Sequence, residues 1–173
     1  MSSVDACNEC GFQYNSVAPG SVVERLRSFP SRFVAALGEP HDRLHERPRP
    51  EVWSAVEYTC HVRDTFLSQR ERLYLTLAED TPGFAPMYRE LRVDFAHYNV
   101  EPVEQVLDEI AFAAGLIGDA FAGLQPDQWA RTCIYNYPVS TERSVLWLGQ
   151  HTIHEGEHHL MDVTRGLQEL QER

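Results

Sequence analysis

The chain has 173 residues, 43% of them hydrophobic, and a formal charge of −11 from 15 Lys and Arg against 26 Asp and Glu. That is enough apolar material for one domain with a core, and the scattered basic residues in an acidic chain exclude a polyanion-binding surface. No apolar run approaches the roughly 20 residues that span a bilayer, and no basic segment followed by an apolar one opens the chain. A cytoplasmic protein that contacts neither nucleic acid nor membrane is therefore expected.

Residues 1–20 read as an irregular N-terminal segment, and residues 21–173 as one helical domain. The run Cys7-Asn-Glu-Cys10-Gly11-Phe12-Gln13-Tyr14 has the look of a zinc knuckle. A structural zinc site takes four ligands, and no second Cys-x2-Cys follows, so the segment is expected to be a tail that packs through Phe12 and Tyr14. The other cysteines, Cys60 and Cys133, stand alone in apolar surroundings. Four cysteines in a chain of this size make no disulfide scaffold, and free thiols in a reducing compartment are the expectation.

Val22, Leu26, Phe29, Phe33 and Leu37 give a helical stripe over 21–38, with Ser21 as its cap. Pro30 should kink or split this helix, and Gly38 followed by Pro40 should stop it. His41 and His45 fall in a polar loop and should be solvated. A second helix is predicted over 54–78, opened by the capping box of Ser54 and Glu57. Its inward residues would include Val56, Cys60, Phe66, Leu67, Leu73 and Leu77, and His61 lies near its start. Residues 80–100 form a long connection with Pro82, Gly83 and Pro86 and a short helix across 88–97; His97 and Tyr98 here are candidates to face a site. Pro102 opens a third long helix, 102–124. An aromatic loop follows, 127–141, with Trp129, Cys133, Tyr135, Tyr137 and Pro138, expected to fill the bundle end.

The last helix, 142–170, carries four of the eight histidines, His151, His154, His158 and His159. Residues three, four or seven apart share a helix face, so His151, His154 and His158 form a stripe, with His159 turned about 100° from His158. The i,i+4 pair His154 and His158 can aim two imidazoles at one ion, with Glu155, Glu157 and Asp162 available to orient the rings. His61 is the partner a bundle would supply. His151 is read as a third residue near the ion, as a hydrogen-bonding neighbour or a replacement ligand. The same residues spell His-Glu-x-x-His, the zinc-protease motif with Glu155 as base. Its longer form needs glycine and histidine at 161 and 164, where this chain has Met161 and Thr164.

Four substantial helices, no convincing strand and two long connections predict an all-α four-helix bundle. At this point the residues Trp53-Ser54-Ala55-Val56-Glu57-Tyr58-Thr59-Cys60-His61-Val62-Arg63-Asp64, with His154-Glu155-Gly156-Glu157-His158-His159, resemble the DinB/YfiT-like superfamily over roughly residues 20–165. The resemblance implies an up-up-down-down bundle with a long crossover. It also implies a three-histidine site for a divalent metal, zinc first and nickel or iron as alternatives. Carried over, the triad is His61, His154 and His158. Members with assigned activity mostly handle small thiols: bacillithiol or mycothiol transferases, a thiol-dependent maleylpyruvate isomerase and the N-terminal domains of ergothioneine-type synthases. The N-terminal Cys-x-x-Cys-Gly-Phe-x-Tyr resembles a feature of a subgroup associated with actinobacteria. The resemblance thus implies a thiol and an electrophile as partners, with a homodimer as a further expectation.

Three neutral imidazoles leave a zinc-type ion an open position, the mark of a reactive site. A thiol reaching it ionises and stays nucleophilic at neutral pH; a water reaching it becomes a hydroxide source. The ligands alone do not choose between S-transferase, hydrolase and non-catalytic binding bundle. Mycothiol and bacillithiol carry carboxylates, for which Arg131 and Arg143 are better placed than Arg63. Cys60 is read as packing.

Overall fold

The structure is a computed structural model that describes residues 6–38, 42–136 and 139–173. Pro40, His41, Tyr137 and Pro138, on which expectations were placed, lie outside the described residues. Four long helices make the body: α1 (Pro19–Leu37), α2 (Ala55–Ala78), α4 (Val103–Ala122) and α5 (Val145–Gln171), with a short α3 (Arg89–Phe95) in the connection between α2 and α4. α1 and α2 each pack against both α4 and α5, which makes a four-helix bundle. The core is aromatic and aliphatic: Leu26, Phe29, Phe33, Phe66, Leu73, Ile110, Ile117, Phe121, Leu148 and Ile153 are fully buried.

The predicted stripe of α1 is buried at all five positions. The helix starts at Pro19, with Ala18 as its cap, rather than at Ser21, and runs through Pro30 without splitting. Phe29 and Phe33 flank the proline and bury completely, so tertiary packing holds the helix although Pro30 offers no N–H to the Leu26 carbonyl. Leu67, expected inside α2, is exposed.

The expectation of no strand is corrected. β1 (Gly83–Phe84), β2 (Thr132–Tyr135) and β3 (Thr141–Ser144) form a three-stranded sheet in that order. β1 pairs parallel with β2, and β2 pairs antiparallel with β3. Cys133 and Tyr135 face inward, while Thr132 and Ile134 are half-buried, the alternation of a strand. Arg131, just before β2, donates to the carbonyls of Thr76 and Glu79 at the end of α2, both at 2.7 Å. Ser144, the last residue of β3, caps α5 by accepting from the Trp147 N–H at 3.1 Å. The sheet thereby joins the end of α2 to the start of the histidine-bearing helix.

Candidate metal centre

The start of α2 is fixed by its own sequence. Ser54 Oγ accepts from the Glu57 N–H at 3.2 Å, and the Glu57 carboxylate accepts from the Ser54 N–H at 2.8 Å. Arg47 clamps the same carboxylate with two bonds, 2.8 and 2.6 Å, so a buried charge is fully partnered. Trp53 packs edge-on to His61, with ring centroids 5.3 Å apart. From His61 onward α2 carries a buried polar stripe, His61, Thr65, Gln69, Arg72 and Thr76, at spacings of four, four, three and four.

α5 presents two chemical faces. Towards α2, Glu155 Oε2 lies 3.8 Å from His61 Nε2 and 3.7 Å from His159 Nε2, and the His61 and His159 rings meet at 4.8 Å. The other oxygen, Oε1, lies 3.5 Å from His154 Nδ1 and 3.8 Å from His151 Nε2. His159 Nδ1 bonds Asp162 at 3.0 Å. That contact holds a ring proton on Nδ1, so the proton an ion would displace is the one on Nε2, the nitrogen that faces His61 and Glu155. On the second face, His154 and His158 turn to the N-terminal segment, where each brings one ligand atom within 4.8 Å of those of Cys7 and Cys10. Glu157 takes no part, being bound to Arg32 at 2.7 and 2.5 Å and to Arg25 at 3.3 Å on α1.

The donors of the first face fit a divalent ion. Among the described residues, both nitrogens of His61 are buried without a hydrogen-bond partner, a costly arrangement for an imidazole unless something else is bound there. Two imidazoles and a carboxylate are a catalytic zinc set, and tetrahedral bonds of 2.0–2.2 Å give ligand–ligand edges of about 3.4 Å, a few tenths below the separations here. Burial pushes His61 down from its ordinary range, favouring the neutral ligand form. Burial would raise Glu155, but His154, His159 and His61 hold its carboxyl well below the usual range. Burial likewise opposes protonation of His159, yet Asp162 and then Glu155 raise it to about 9.

The structure thus brings His154 and His158 together with Cys7 and Cys10, and puts His61 with Glu155 and His159. His159, expected to point off the site, is 5% exposed and faces His61. Its signal was present in sequence: Glu155 and His159 are also four apart. His151 is held by the Tyr14 hydroxyl at 3.0 Å, and burial lowers it to about 4. His97 is exposed, and the Tyr98 hydroxyl donates to Asp64, so neither faces the site. Cys60 is buried in the core and its thiol pushed up by that burial.

A cleft of about 790 Å³ opens over these groups, lined among others by His61, His159, Trp53, Tyr58, Arg72 and Arg89. Arg72 donates to the Tyr135 hydroxyl at 2.8 Å and to the Ala85 carbonyl at 2.6 Å. Arg72 and Arg89, rather than Arg131 or Arg143, are the cations at this cleft. Arg143 lies over the Trp147 ring at 4.7 Å, and Arg63 is taken up by Asp64, Glu101 and Glu109. Of the aromatic loop, Tyr135 lines the cleft while Trp129 stacks on Phe121.

Among curated proteins none matches this chain. Among solved structures, YfiT from Bacillus subtilis, described as a probable metal-dependent hydrolase with an unusual four-helix bundle topology, is similar with a TM-score of 0.77 at 16% identity. The match covers 99% of this chain and 93% of that one. The model of the DinB superfamily matches residues 25–163, and the chain belongs to that superfamily.

Proposed function

We propose that the protein is a divalent-metal-dependent enzyme whose ion is held by His61, Glu155 and His159 and whose nucleophile is a low-molecular-weight thiol of the mycothiol or bacillithiol type. One observation carries the reading: His61 Nε2, His159 Nε2 and a Glu155 oxygen lie together in the lining of the cleft, with the His61 nitrogens unpartnered among the described residues. What a divalent ion supplies in such a set is a lowered pKa for a thiol or water that reaches it. Zinc is the first expectation, and iron(II) or nickel also suits these donors.

The chain's own residues do the rest. Asp162 holds the His159 ring by its Nδ1 proton, so Nε2 is the nitrogen that would bind the ion once its proton leaves. Arg72, fixed by Tyr135 and Ala85, and Arg89 on the rim give a substrate carboxylate two cations. Trp53 and Tyr58 wall the cleft with apolar surface and exclude water from one side. Glu155, the carboxylate nearest His61, is engaged by four imidazoles and so is not free to act as general base toward an attacking water, whereas a thiol held as thiolate, its proton released to solvent, would need none. That favours a thiol over water.

One other reaction and one other ligand set have support. The YfiT description favours hydrolysis, and the unpartnered nitrogens of His154 favour the set of His61, His154 and His158. The packing of α1 and α2 on both α4 and α5 suits an up-up-down-down order. The test is turnover of purified protein with each small thiol against a panel of electrophiles and esters, with chelator and after restoring the ion. The account expects metal-dependent thiol consumption that is lost in His61→Ala and His159→Ala. Ester cleavage without thiol would put the hydrolase ahead. Ligand affinity without any turnover would put a binding bundle ahead.

A further inference from the structure

We propose that Cys7, Cys10, His154 and His158 form a second metal site, a closed two-cysteine, two-histidine zinc centre that fastens the N-terminal segment to α5. The segment was expected to be a tail packed by Phe12 and Tyr14, and both are buried, 7% exposed each. It is also a folded knuckle. Gly11 adopts φ +73°, its N–H bonds the Cys7 carbonyl at 2.9 Å, and the Cys7 N–H bonds the Phe12 carbonyl at 2.9 Å. A turn of this kind with glycine in the left-handed region folds two cysteines three apart back towards each other.

Docking then brings the sulfurs to the helix. Gln150 donates to the Val17 carbonyl at 2.9 Å and the Tyr14 hydroxyl meets His151, which seats the segment along α5. All four ligand atoms lie within 4.8 Å of one another, and Cys7 Sγ is 3.6 Å from His158 Nδ1. Zinc bonds of 2.3 Å to sulfur and 2.0–2.1 Å to nitrogen at a tetrahedral angle predict a sulfur–nitrogen edge of about 3.6 Å. The remaining nitrogen of His158, Nε2, faces Glu9 at 3.4 Å and Asp162 at 3.6 Å, the carboxylate-to-imidazole support that ligand histidines carry. His154 Nδ1 is turned towards Glu155, which leaves Nε2 for the sulfur pair; among the described residues both nitrogens lack a hydrogen-bond partner. Two thiolates neutralise the ion, so the centre buries no net charge. With four protein ligands it has no open position and is structural, in contrast to the three-ligand set around His61. Glu155 lies between the two, an oxygen on each side.

The test is the metal content and cobalt spectrum of the full chain purified with zinc present. Two zinc ions per chain are expected, one in a Cys7→Ser, Cys10→Ser variant and one in His61→Ala. Cobalt(II)-substituted protein should show thiolate-to-cobalt charge-transfer absorption that persists in His61→Ala and vanishes in the cysteine variant. If only the His61 site failed, wild-type protein would hold one zinc and keep the sulfur bands, and the cysteine variant would hold none. In wild-type protein, Cys7 and Cys10 should resist alkylation until chelator is added, a readout that needs no variant to fold. Wild-type metal content in the cysteine variant, absence of the charge-transfer band, immediate alkylation, or a Cys7–Cys10 disulfide in the isolated protein would each overturn the proposal.

Discussion

Gly156 lies between the two carboxylates Glu155 and Glu157, and the bundle needs it there for steric reasons. A Cβ at this position would sit 2.5, 2.6 and 2.8 Å from three carbons of the Phe29 ring. Phe29 is wholly buried, with Phe33 and Phe66 packed against it at centroid distances of 6.5 and 5.6 Å, so the ring has nowhere to turn. Overpacking of this kind costs about 1–3 kcal/mol, while replacing a helical glycine by alanine returns about 1 kcal/mol of helix propensity. Sterics should win: three contacts under 3 Å put the cost at the upper end of that range, so Gly156→Ala is expected to lose about 2 kcal/mol net, a fall in Tm of roughly 4–8 °C for a domain of this size. Gly115, on α4, has no heavy atom within 4 Å of its Cβ position, so Gly115→Ala should be neutral or stabilising by up to about 1 kcal/mol. Thermal melts followed by far-ultraviolet circular dichroism measure both. A Gly156→Ala protein as stable as the parent would refute the close approach of α1 to α5, and with it the spacing that positions Glu155.

Burial opposes it, but Asp162 and Glu155 raise His159 to about 9, so in metal-free protein this group contributes stability that is fully present below about 6.5 and lost as pH rises through 9. Metal uptake should run the other way, because the proton must leave: affinity rising with pH up to about 9 and levelling above, with proton release read by calorimetry in two buffers. Ser54→Ala should cost about 1–2 kcal/mol through the lost cap of α2, measured by denaturant titration, whereas His45→Ala, which loses one exposed hydrogen bond with the Asn99 carbonyl, should cost no more than about 1 kcal/mol. Arg89→Ala should raise KM for a carboxylate-bearing thiol several-fold while leaving kcat near the parent value; an unchanged KM would remove Arg89 from substrate binding.

The long helices were legible because their signals are local and repeated. The five-residue stripe of α1 and the Ser54–Glu57 capping box each specify one outcome, and both recur in the structure. The sheet was not legible, since four residues of alternation in Thr132–Tyr135 are too few to register as a period and β1 has only two residues. The histidine helix posed a different difficulty. His151, His154, Glu155, His158 and His159 contain three i,i+4 pairs, and spacing alone does not say which pair meets His61. Facing is decided by how α5 is rotated against α2 and by what the N-terminal segment occupies. Burial of Phe12 and Tyr14 along α5 brings Cys7 and Cys10 to His154 and His158, a tertiary contact across about 150 residues that no local pattern encodes. The polar stripe from His61 to Thr76 was hidden for a similar reason: buried Gln69 and Arg72 look like surface residues until Tyr135 is placed beside them.

Anomalous diffraction at the zinc edge, from crystals of the full chain grown with zinc, tests the central claim most directly. The account predicts a peak about 2.0–2.2 Å from His61 Nε2, His159 Nε2 and a Glu155 oxygen, open to the cleft on its remaining side. A peak coordinated by His61, His154 and His158 instead, or no peak at His61 in zinc-saturated crystals, would contradict it.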